Sequence, residues 1–137
     1  MRKSVLLGIV VALAACGRDE PGPTAPTPAI VSGSYTLETV DGQALPFLVL
    51  DLGAYKAKLA SATLNLNADK TYSFAFGIRI EDSGNVRTTS DDDAGTWSVS
   101  NSAVTLVSNR GNFTRTGTVS GHTLTLESST RVFVMRK

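Results

Sequence analysis

A chain of 137 residues with 13 Lys and Arg against 12 Asp and Glu has the length of one domain and a formal charge of +1, which leaves no electrostatic footprint for nucleic acid. One cysteine and one histidine exclude an internal disulfide and would leave a zinc site to be built from carboxylates, an uncommon choice. Stability must therefore come from a packed core, which a folded part of about 105 residues can supply.

At the start, Arg2 and Lys3 precede an uncharged run from Val5 to Ala15, and small residues lead directly into Cys16. That order of charged, apolar and small residues is the layout of a secretory signal. At about 1.5 Å per residue the run reaches roughly 16 Å, half of a ~30 Å hydrocarbon core, and is too short to span it comfortably. Leu13-Ala14-Ala15-Cys16 resembles the lipobox of bacterial lipoproteins. The resemblance implies a signal peptide over residues 1–15, cleavage before Cys16, and acylation of its thiol and new amino terminus with palmitate-like chains. Each buried CH₂ then contributes about 0.8 kcal/mol of membrane attachment. Gly17 is not the aspartate of an inner-membrane retention signal, so the expected location is the cell envelope, lipid-anchored in the outer membrane. Removing Arg2 and Lys3 turns the formal charge to −1 and leaves the mature domain no free thiol.

Residues 16–31 read as the lipidated cysteine and a tether, because Pro21, Pro23, Pro26 and Pro28 favour extended structure at about 3.1 Å per residue. Residues 32–137 read as an all-β domain. Tyr35 and Leu37 share a face of the first strand, which ends at the turn signal Asp41-Gly42. Pro46 to Lys58 is a short strand with a loop over the barrel mouth, or a brief helix. Leu64 and Leu66 precede an Asn67–Lys70 turn, and Thr71 to Ile80 alternates Tyr72, Phe74, Phe76, Ile78 and Ile80 against Ser73, Ala75, Gly77 and Arg79. Trp97 and Val99, then Val104 and Leu106, flank an Asn101-Ser102 turn. Phe113, Arg115 and Val119 share a face of a strand from Asn112, Leu124 and Leu126 follow Ser120-Gly121, and Arg131 to Arg136 is apolar on both faces. About eight or nine strands on short connections predict an up-and-down antiparallel barrel; a β-sandwich is the alternative.

Gly33-Ser34-Tyr35, Asp41-Gly42-Gln43-Ala44-Leu45-Pro46, Gly95-Thr96-Trp97 and Gly117-Thr118-Val119 together resemble the small lipocalin-like lipoproteins of bacterial envelopes. Lipocalins proper carry Gly-x-Trp in the first strand, with a basic residue near the last strand packed over the ring. Here Tyr35 stands in the place of that Trp, and Arg131 or Arg136 would be the basic partner.

No constellation of nucleophile, base and acid stands out, so no catalytic residue, cofactor or metal ligand is assigned. His122 follows Gly121 and reads as a surface histidine at a turn. Asp91-Asp92-Asp93 reads as a solvated acidic turn beside Glu81-Asp82, since Thr96 and Ser102 stand where a calcium-hand loop needs glycine and glutamate. Period 2 turns Arg115 inward, to meet a ligand carboxylate, as in the fatty-acid carriers this architecture resembles, or a buried acid, unless a bulge near Gly117 turns it out. With Tyr35, Phe74, Phe76, Trp97 and Phe113 it forms the candidate ligand-binding set, although the same aromatics would line a filled core. The expected function is a non-catalytic, membrane-anchored module for a small hydrophobic ligand, without nucleic acid. A filled barrel that acts structurally or meets an envelope protein is the alternative.

Overall fold

The structure, a computed structural model, describes residues 28–111 and 113–137. The expected signal peptide, Cys16 and the tether as far as residue 27 lie outside the described residues. A helical turn, α1 (Pro28–Val31), leads into ten strands: β1 (Gly33–Val40), β2 (Gln43–Ala44), β3 (Phe47–Asp51), β4 (Tyr55–Leu66), β5 (Thr71–Asp82), β6 (Asn85–Ser100), β7 (Ala103–Ser108), β8 (Thr114–Ser120), β9 (Thr123–Ser128) and β10 (Arg131–Arg136).

From β4 to β10 every strand pairs antiparallel with its successor, β10 pairs with β1, and β1 closes on β4. The result is the up-and-down barrel that the alternating pattern predicted, with eight strands in the wall and β2 and β3 in addition. Closure on β4 involves only Gly33 to Thr36 against Leu66 to Thr63. Above that level β1 and β4 part, β2 follows β1, and β3 follows β4. The Pro46–Lys58 stretch is thus β3, a turn and the first residues of β4; no helix forms there.

Register gives the barrel two unlike ends. At one lie α1, Lys137 and the turns after β4, β6 and β8; at the other lie the turns after β1, β3, β5 and β9 and the loop after β7. The first end is closed. Val31 is fully buried, so the folded unit takes in the last residues of the expected tether, and its carbonyl accepts the Tyr35 hydroxyl at 2.7 Å. Lys137 donates to the carbonyls of Ile30 and Ser32, with its ammonium 5.8 Å from the centre of the Tyr35 ring. The basic partner of this ring is therefore neither Arg131 nor Arg136. Thr36 is level with Arg136, which puts Tyr35 level with Lys137; Arg136 turns outward to Glu38, and Arg131 belongs to the other end.

Between the ends, Tyr35, Leu64, Leu66, Phe74, Trp97, Leu106, Leu124, Leu126 and Met135 fill the interior. Each large apolar side chain so buried contributes roughly 1.5–3 kcal/mol. The neighbouring strands β8 and β9 approach closely where a side chain is missing: a Cβ on Gly117 would sit 2.2 Å from the Thr125 carbonyl oxygen. β8 shows no register shift against β7 or β9, so no bulge near Gly117 reverses its faces.

The acidic triplet is not a turn. The chain reverses earlier, at Ser83-Gly84, with φ of 50° and 88°, and β5 and β6 stay paired from Asp82↔Asn85 to Thr71↔Thr96. Asp91, Asp92 and Asp93 therefore stand in a strand, and alternation separates Asp92 from the other two.

Candidate functional site

At the open end the filled core gives way to a cavity of about 310 Å³ lined by Val40, Phe47, Val49, Leu59, Phe76, Ile78 and Phe133, with Asp91, Arg115 and Arg131 at its edges. A second cavity of about 310 Å³ shares Phe76, Asp91 and Arg115 with it and runs beneath Arg110 and Phe113, beside Asp92, Asp93 and Ser108. Arg115 lies where the two meet.

Arg115 reaches the interior because it shares the inward face of β8 with Gly117 and Val119, both buried. Its guanidinium lies 4.3 Å from the centre of the Phe113 ring and 5.4 and 6.0 Å from those of Phe74 and Phe76. Its Nη1 donates to Asp93 Oδ2 at 2.8 Å, and both side chains are nearly covered, at 13% and 10% exposure. Of the two partners the sequence allows it, the buried acid is the one present.

Asp93 also accepts the hydroxyls of Tyr72, at 2.9 Å, and Ser108. Burial raises its carboxyl, but the hydrogen bonds from Ser108, Arg115 and Tyr72 outweigh that, and the net shift is below the ordinary carboxylate value. The same closeness acts oppositely on Tyr72, whose phenol is pushed up to about 12 by desolvation and then by the neighbouring carboxylate. Among the described residues no buried side-chain polar atom in this cluster lacks a partner.

The other candidate residues divide by height along the barrel. Phe74 is buried and Phe76, half-buried, lines the cavity, their ring centres 4.2 Å apart and their planes tilted by 37°. Tyr35 and Trp97 are core residues far down the barrel: Trp97 Nε1 donates to Asn67 O at 2.8 Å, and Lys70 covers its ring at 4.0 Å. Phe113, just ahead of β8, is 46% exposed: its carbonyl accepts the Ser108 amide at 3.0 Å and its ring lines the second cavity against the Arg115 guanidinium. It acts as a lip over Arg115. Asp93, Tyr72 and Ser108 were missed by pattern reading, although Tyr72 carries the inward parity of Phe74.

Every charged side chain lining either cavity is already in an ion pair: Arg115 with Asp93, Arg110 with Asp91 and Asp92, and Arg131 with Asp41. The mouth is apolar and electrically balanced. Among the described residues no group of three His, Cys, Asp or Glu could hold a metal ion. His122 sits at the closed end, its carbonyl bound by the Lys137 amide, and is remote from both cavities. Comparison of the chain with protein-family models, with curated proteins and with solved structures gives no match.

Proposed function

We propose that this chain is a non-catalytic, lipocalin-like envelope lipoprotein that takes a small hydrophobic ligand into the open end of its barrel. The observation that carries the reading is the contrast between the ends: one is plugged by Val31, Tyr35 and Lys137, the other holds an apolar cavity. A chain anchored through Cys16 would enter at the plugged end, so the mouth would face away from the point of attachment. Paired charges at the mouth favour an uncharged ligand or portion of a ligand, held by contact with Phe47, Ile78 and Phe133.

A second reading, a barrel that meets another envelope protein, is favoured by Leu48, Leu50 and Leu52, which are 42–68% exposed at the rim. Native mass spectrometry of the protein from its own host separates the two. A retained small molecule, lost in Ile78→Asp, is expected; a ligand-free mass would overturn the carrier reading. The anchor has its own test: Cys16→Ser should move the folded chain from the membrane to the soluble fraction, and continued attachment would overturn lipidation at Cys16.

A further inference from the structure

β6 is the longest strand, and only part of it has neighbours on both sides. Gly95–Ser100 pair with β7, and the Asn109 amide donates to Ala94 O. From Asn85 to Asp93 its only strand partner among the described residues is β5. Trp97 N–H donates to Lys70 O, which directs the main chain of odd-numbered residues toward β5. In an antiparallel ladder the alternate residues turn both N–H and C=O the other way. Val86, Thr88, Ser90 and Asp92 therefore offer their main chain along an open edge. Asp91 Oδ1 caps the Asp92 amide at 2.9 Å.

Such an edge is a template for another strand, and proteins that remain monomeric interrupt it with proline, a bulge or inward charge. Asn85 to Asp92 contains no proline or glycine, its register with β5 has no shift, and the inward carboxylate, Asp93, comes only at its far end. All side chains from Asn85 to Asp92 are exposed, and Val86, Thr88 and Thr89 are of β-branched type.

We propose that a second copy of this chain pairs along this edge, β6 to β6 antiparallel about a two-fold axis through Thr89. Arg87 forms no ion pair among the described residues, while Asp91 lies four residues on along the same face. With Thr89 on the axis, each Arg87 stands opposite the Asp91 of the other copy, and Thr88 exchanges ladder bonds with Ser90. Moving the axis to Thr88 sets Arg87 against Thr89. Moving it to Ser90 sets Arg87 against Asp93, which is covered and held by Arg115 at 2.8 Å, whereas the partner Asp91 already has, Arg110 at 3.2 Å, is a surface pair about 60% exposed that Arg87 can join. Charge complementarity thus selects one closed, isologous register. One added strand buries less than the roughly 1,200 Å² of a standard interface, so the dimer is weak and concentration-dependent.

Sedimentation of the full chain in detergent should show the protein mass doubling as concentration rises from micromolar to near-millimolar. Thr88→Pro removes an outward amide without touching the β5 ladder, and should stay monomeric with an unchanged circular dichroism spectrum. Mild oxidation should cross-link Thr89→Cys above the wild-type background and leave Val86→Cys at background. A monomer at every concentration, or a dimer that survives Thr88→Pro, overturns the proposal. Cross-linking through Val86→Cys in place of Thr89→Cys overturns the register.

Discussion

Asp93→Ala is expected to be the most damaging single change at the open end. The carboxylate receives Arg115, Tyr72 and Ser108 in a site where it is 10% exposed, so removing it strands a cation and two hydroxyls. Breaking a covered ion pair from one side costs about 3–5 kcal/mol, which in a domain of this size lowers Tm by roughly 12 °C or more. Arg115→Met is milder, about 1–3 kcal/mol, because Tyr72 and Ser108 still donate to the carboxylate, which also gains the freedom to take up a proton. The double variant Asp93→Leu with Arg115→Met should cost at least about 2 kcal/mol less than the sum of Asp93→Leu and Arg115→Met measured singly. Urea unfolding followed by fluorescence measures this directly, since Trp97 is the one tryptophan and is 3% exposed in the core. An Asp93→Ala cost under about 1 kcal/mol, or additivity in the double variant, would refute the claim that the cluster acts as a unit.

The same cluster contributes to the pH dependence of stability at both extremes. Tyr72, raised from 10 to about 12, supports the fold fully below about pH 10 and loses that support as pH rises toward 12; Asp93, held low, supports it above about pH 4 and loses it as pH falls further. Urea midpoints across pH should therefore lose part of their alkaline drop in Tyr72→Phe, with Tyr35, also raised by burial, keeping the rest, and part of their acid drop in Asp93→Asn. Gly117→Ala should lower stability by about 1–3 kcal/mol, read from Tm, because its Cβ meets the Thr125 carbonyl, a main-chain atom that cannot swing aside. At the closed end, Tyr35→Phe should cost about 1–2 kcal/mol by orphaning the Val31 carbonyl, and an unchanged Tm would deny α1 its role as a plug.

What could be read from the chain follows where water is. β5 was legible because it lies against the interior along its length, so the contrast between Phe74 and Ser73 is written residue by residue. The first part of β6 is wet on both faces; Arg87, Thr88, Thr89 and Ser90 carry no alternation, and the strand passed for a connection. The same stretch hid the partner of Arg115. Three successive aspartates signal solvation, and the register of β6 against β5, which sets Asp93 opposite the buried Phe74, shows that the third faces inward, within reach of Ser108. Parity sufficed to bring Arg115 and the Phe113 ring together, but not to show that Phe113, at the end of the wall, stays 46% exposed. Lys137 was overlooked beside Tyr35 because two arginines nearby offered the same chemistry, and only the β1–β10 register decides among them.

The balance of charge at the mouth leads to a test that separates an apolar receptor from an anion receptor. Were Arg115 an anchor for a carboxylate, a ligand would have to compete with Asp93, which already holds it at 2.8 Å with two further hydrogen bonds supporting the acid. A neutral ligand displaces nothing and gains from contact with Phe47, Phe76 and Phe133. The neutral probe N-phenyl-1-naphthylamine should therefore bind more tightly than its anionic sulfonate analogue, and its affinity should change less than about twofold between 50 and 500 mM salt. Tighter binding of the sulfonate, weakened by salt and abolished in Arg115→Met, would mean that the guanidinium leaves Asp93 for the ligand; the pair would then be a latch that the ligand opens.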